Sequence, residues 1–176
     1  MKGVSQAKLI AAIFLTLVYV LYMGVTGSPG RWDIALKLRF LAYRADFEKL
    51  VAMANEDAHV TRIAPDFTWL DDDLTWPRKN VGISEQRWEE YRRLFRRVGA
   101  PLGIEKNPYP VAVFFPIVSR GLVPAGWTKG LVYSSTPLTP VLKSLDERPP
   151  DKLWEGKHVL VYEPIRDDWY IYYEEW

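Results

Sequence analysis

The chain has 176 residues, enough for one ordinary domain with a real core after a short leading segment. Its 23 Lys and Arg stand against 22 Asp and Glu for a net charge of +1, which excludes a global electrostatic pull toward nucleic acid. With no cysteine there is no disulfide framework, thiolate nucleophile or cysteine metal site, so the fold must hold by packing.

Residues 1–8 form a short basic tail carrying Lys2 and Lys8, and Leu9 to Gly30 carry no charge. A hydrocarbon layer about 30 Å thick takes roughly 20 mostly apolar helical residues to cross. Residues 9–27 therefore read as a transmembrane signal anchor. Val25-Thr26-Gly27 before Ser28 also fits a signal cleavage site, but the length of the run and bulky Tyr19, Tyr22 and Met23 on its exit side favour retention. Arg31, Lys37, Arg39 and Arg44 on the far flank argue for a cytoplasmic body. Against them, a very short basic amino terminus followed at once by an apolar run is the arrangement of an anchor with its amino terminus inside and its body outside. That orientation is the expectation. Residues 28–33 read as a juxtamembrane hinge, because Ser28-Pro29-Gly30 ends one helix and can start another.

Residues 34–176 read as a single α+β domain. From Trp32 to Asp57 the stripe Phe40, Tyr43, Phe47, Leu50 and Ala54 recurs at helical steps, so this helix buries one face; a membrane-surface helix would show a more basic polar face. His59 to Leu70 reads as extended, with Pro65 marking an edge or bulge, and Asp71-Asp72-Asp73 opens a loop to Gly82. Ser84 is the expected N-cap of a second helix with the apolar stripe Trp88, Tyr91, Phe95 and Val98, ended by Gly99 and Pro101. Beyond it, 111–119, 128–135, 141–145, 157–163 and 169–174 read as strands. Turns are expected at Pro124-Ala125-Gly126 and Ile165-Arg166-Asp167-Asp168. The predicted body is two helices packed on a curved antiparallel sheet of meander type.

In the last strand Trp169, Ile171 and Tyr173 share one face while Tyr170 and Tyr172 share the other, so both faces need cover. Aromatic rings commonly support small sheets, but Tyr170 and Tyr172, with Trp127 or Tyr133 nearby, are also the candidate partner or ligand surface. The second helix carries Arg87, Arg92, Arg93, Arg96 and Arg97, and like charges four apart invite an acidic partner or phospholipid headgroups unless the face is simply solvated. Trp127, Tyr170, Tyr172, Arg92, Arg93, Arg96 and Arg97 are thus the candidate binding residues.

Catalytic and cofactor signatures are weak. Asp71-Asp72-Asp73 lacks the spacing of a calcium loop, and the two histidines, His59 and His158, are too few for a nitrogen-rich zinc site. No Gly-x-Ser-x-Gly elbow surrounds Ser119, Ser134 or Ser135, and Gly121, Gly126 and Gly130 fit no phosphate loop, so neither metal nor nucleotide cofactor is expected. An enzyme ranks behind two binding readings. The first is an anchored accessory protein that binds another envelope protein. The second is a tethered domain with an aromatic-walled pocket, its mouth near Arg62, for a small or lipid-like ligand.

Overall fold

The computed structural model describes residues 32–70, 81–108, 111–122, 125–146, 153 and 158–176. The expected anchor 9–27, the Ser28-Pro29-Gly30 hinge and Asp71-Asp72-Asp73 lie outside the described residues.

Helix α1 spans Asp33–Glu56 and buries Leu36, Phe40, Phe47, Leu50 and Ala54. Tyr43 departs from the expected stripe: its φ of −123° and ψ of 24° kink the helix, and its ring stays partly exposed. The hairpin β1 (Val60–Ile63) and β2 (Thr68–Leu70) follows. Pro65 therefore sits in a hairpin turn, closed by Ala64 N–H donating to the Phe67 carbonyl at 2.9 Å, and not within one extended strand. Helix α2, Glu85–Val98, forms as its sequence signals require. The Ser84 hydroxyl accepts from Arg87 N–H at 3.1 Å, and Gly99 ends the helix at a φ of +67°, a left-handed position that glycine takes without a Cβ penalty. Trp88, Tyr91, Leu94, Phe95 and Val98 point into the core.

The remaining strands are β3 (Ile104–Pro108), β4 (Val111–Leu122), β5 (Ala125–Ser134), β6 (Val159–Arg166) and β7 (Trp169–Glu175). All named strands join one antiparallel sheet in the order β2-β1-β3-β4-β5-β7-β6, with both helices on one face, so the body is an α+β fold. Two expectations are corrected. The stretch 141–145 is not a strand, making one isolated bridge between Val141 and Tyr162; the Ser144 hydroxyl and the Leu145 N–H are given to Asp33 instead of a ladder. The final strands also do not run as a meander, since β7 lies inside and β6 takes the edge. In β6 the Tyr162 N–H points to the open side, toward the Pro140 carbonyl, and Pro164, two residues on, has no N–H to offer a further strand there, which suits an edge position.

Trp169 organises the core between helices and sheet, with ring centroids 4.9 Å from Phe40, 5.9 Å from Phe47, 5.7 Å from Phe115 and 5.4 Å from Tyr133. A smaller cluster of Ala112, Phe114, Val132, Leu138, Tyr162 and Tyr172 covers part of the opposite face. Among the described residues no helix is long and apolar enough to cross a membrane.

Candidate functional site

Strand alternation separates the aromatic candidates. Tyr133 and Trp127 share the helix side of β5 with Leu131, and Trp127 stacks on Tyr173 at 6.0 Å. Tyr170 and Tyr172 point to the other side. Trp127 and the two tyrosines therefore do not form one surface. Tyr172 is 1% exposed and packs edge-on against Phe114 at 4.9 Å, so it is a core residue of the second cluster; Tyr170 is half-buried against Tyr162.

The arginines of α2 are also not a bare basic patch. Arg92 donates from Nε to the Pro65 carbonyl at 2.7 Å, lies 3.6 Å over the Trp88 ring and pairs with Glu85 and Glu89. Arg96 reaches Glu89 at 3.0 Å, Arg93 reaches Glu90 at 3.8 Å, and Arg97 reaches Asp46 of α1 at 2.8 Å. Interleaved acids relieve the like-charge crowding that the arginine spacing alone implied. Arg87 bridges back to Asp57 at 2.9 Å and Glu56 at 2.7 Å, tying the helices together. Arg39, Arg92 and Arg96 line a cleft of about 560 Å³ floored by Phe95 and Ile117.

The most chemically varied hollow lies on the sheet face away from the helices. This cleft of about 480 Å³ is lined by Arg62, Glu105, Ser119, Thr128, His158, Tyr172, Glu174 and Trp176, among others. Ladder partners place these side chains together: Arg62 opposes Glu105, Ser119 opposes Thr128, and Thr128 opposes Glu174. Arg62 forms an ion pair with Glu105 and donates to the Leu102 carbonyl at 3.3 Å, while its buried Nε has no hydrogen-bond partner among the described residues. His158 Nε2 lies 3.0 Å from Glu174 Oε1, and the Thr128 hydroxyl donates to Ser119 Oγ at 3.1 Å. Burial, reinforced by the nearby Glu174 carboxylate, pushes the Tyr162 hydroxyl up to about 12 and the Tyr172 hydroxyl well above its ordinary value, so both phenols stay protonated at neutral pH. The cleft thus offers the half-buried Trp176 ring over a floor closed by buried Tyr172, with a rim of one guanidinium, two carboxylates and an imidazole. Sequence reasoning named Arg62 at a pocket mouth but put the pocket between helix and sheet. Glu105, His158 and Glu174 were missed as neighbours because only pairing across β1, β3, β6 and β7 unites them.

A second arrangement absent from sequence reasoning is a buried ionic cluster. Lys129 follows the core-facing register of Leu131 and Tyr133, and its Nζ lies 2.6 Å from Asp33 Oδ1 and 2.8 Å from the Leu145 carbonyl. Asp33 also accepts from Ser144 and from the Leu145 N–H, and Lys37 pairs with the buried Glu163. Asp33 and Glu163 are thus two buried carboxyls set close to each other, each beside its own ammonium group, Lys129 and Lys37. Burial raises both pKa values; bonds from Lys129, Ser144 and Glu163 outweigh it at Asp33, which ends below its ordinary value. At Glu163 burial and the Asp33 charge prevail over Lys37, and the pKa ends above it. Neither carboxyl lines either cleft described above, and the cluster clamps the start of α1 to β5, β6 and 144–146. His59 lies apart, bonded to the Gly82 carbonyl at 2.8 Å. Among the described residues no three His, Asp or Glu are grouped to hold a metal ion. No protein-family model, curated protein or solved structure matches this chain.

Proposed function

We propose that the chain is a single-pass membrane protein, anchored by residues 9–27 with its amino terminus in the cytoplasm, and that its outward domain is an accessory module that grips a segment of another envelope protein. The observation carrying the binding role is the cleft on the helix-free sheet face, where the half-buried Trp176 ring meets a rim of both charge signs. Aromatic and arginine side chains supply most of the energy in protein interfaces, and a mixed-charge rim selects a partner by complementarity. The anchor is supported by the uncharged run from Leu9 to Gly30.

Position-specific crosslinking tests the partner. A photocrosslinker attached at Glu105→Cys or His158→Cys in native membranes is expected to yield the same adduct, and one attached at exposed Val111→Cys none. Arg62→Ala is expected to weaken that adduct. An adduct of equal strength from Val111 would refute docking in the cleft.

A second reading has its own support, because the cleft volume falls within the roughly 300–1,000 Å³ of small-molecule sites. In that case native mass spectrometry of the detergent-purified chain shows a bound small or lipid-like molecule that Arg62→Ala releases, and the crosslinks to protein are absent.

A further inference from the structure

Ile34, Leu38, Leu41 and Ala45 recur at steps of four, three and four along the first half of α1, on the side opposite buried Leu36, Phe40 and Phe47. The three large members are 59%, 45% and 56% exposed. A row of large exposed apolar side chains marks a surface for contact, and the sheet covers only the opposite side of the helix. The neighbouring cations do not interrupt the stripe: Lys37 is turned to Glu163, and Arg44 to Glu48 and Asp167.

The chain leading into α1 limits what can lie against its outer side. The apolar run ends at Gly27, leaving residues 28–31 before exposed Trp32, and four extended residues reach about 14 Å at most. If 9–27 cross the bilayer, the start of α1 is held at the headgroup layer. The basic face that α1 itself lacks is supplied beside it: across the Arg97–Asp46 bridge, Arg93, Arg96 and Arg97 of α2 remain 66%, 67% and 65% exposed past their acidic partners, a basic margin suited to lipid phosphates.

We propose that α1 lies along the bilayer surface, its Ile34-Leu38-Leu41-Ala45 stripe seated at the boundary between headgroups and acyl chains, with lipid itself as the occupant. Interfacial helices sink an apolar face about 5–10 Å into this layer, a depth that leucine-sized side chains match. The domain then rests on its helix layer, and the Arg62–Glu105 cleft on the opposite sheet face looks away from the membrane. The proposal rests on the anchor reading of 9–27, and the experiment separates the two.

The cysteine-free full-length chain accepts single bimane labels at Ile34→Cys, Leu38→Cys and Leu41→Cys. Val111→Cys, which lines a hollow together with Asn55 from the far end of α1, is an exposed apolar control, and Leu15→Cys reports the anchor. Each is reconstituted in vesicles of phosphatidylcholine and phosphatidylglycerol carrying shallow (5-doxyl) or deep (12-doxyl) lipid quencher, with iodide as the aqueous quencher. The stripe labels are expected to be quenched by shallow lipid at least about twofold more than Val111, and Leu15 by deep lipid. Stripe labels as open to iodide as Val111 would overturn the proposal. So would labels shielded from both quenchers, which would assign the face to a second copy or a partner protein. With Leu15 still quenched, either result sinks the lipid contact alone; an unquenched Leu15 sinks the anchor as well.

Discussion

Trp169 and Tyr172 lie three residues apart in β7 and serve opposite faces. Because Trp169 meets four other rings at 4.9–5.9 Å, truncation to alanine is expected to cost about 3–5 kcal/mol in chemical denaturation. Tyr172→Ala is expected to cost a similar amount, since the side chain is sealed against Phe114, while Tyr170→Ala, half-buried, costs clearly less. Equal and small losses at both tyrosines would remove Tyr172 from the core. The buried ionic cluster makes a different demand. Lys129→Met leaves Asp33 buried beside Glu163 without its ammonium partner and is expected to cost about 3–5 kcal/mol, an effect that Lys129→Met with Asp33→Asn partly reverses. The cluster also sets a pH dependence. Glu163 has a raised folded-state pKa, so its contribution is complete below the unfolded carboxylate value and fades as pH climbs through the folded one. Asp33 has a lowered one, so its contribution is lost only as pH falls through that lower value. The stability advantage of the native chain over Glu163→Gln should therefore shrink as pH rises from mildly acidic toward neutral. Urea unfolding of both proteins across that range checks the sign, and a growing advantage would contradict it.

Helix α2 was legible in full because its signals are local: Ser84 caps it, Gly99 ends it and the stripe between them faces the core. Ser84→Ala is accordingly expected to lower stability by about 1 kcal/mol, measurable by denaturant midpoint. The buried face of α1 was equally readable at Phe40, Phe47, Leu50 and Ala54, but the kink at Tyr43 moved one predicted core ring outward. Its outer stripe went unread because Ile34, Leu38 and Leu41 interleave with the core positions, and a helix with apolar residues on two sides shows little amphipathic contrast. Strand existence was mostly visible by alternation, whereas strand neighbours were not. Pairing of β5 with β7, and of β1 with β3 across α2, joins segments far apart in sequence, which is why the cleft residues Arg62, Glu105, His158 and Glu174 could not be assembled from local pattern. Glu105 was further hidden because Ile104–Pro108 carries no regular alternation and was not expected to be a strand.

At the scale of the whole molecule, the proposed anchor and the proposed seat of α1 make the protein resist extraction by more than charge. The chain is expected to stay with membranes through washes in high salt and alkaline carbonate and to leave only in detergent. Release by salt alone would contradict both. The sheet order also has a consequence for assembly. Residues 169–175 occupy a slot with β5 on one side and β6 on the other, so β5 keeps a raw edge until β7 has been laid in. A chain interrupted at Asp168 exposes that edge as a template for stray strands, and the intact chain closes its sheet by a pairing of β5 with β7 that no local hairpin supplies.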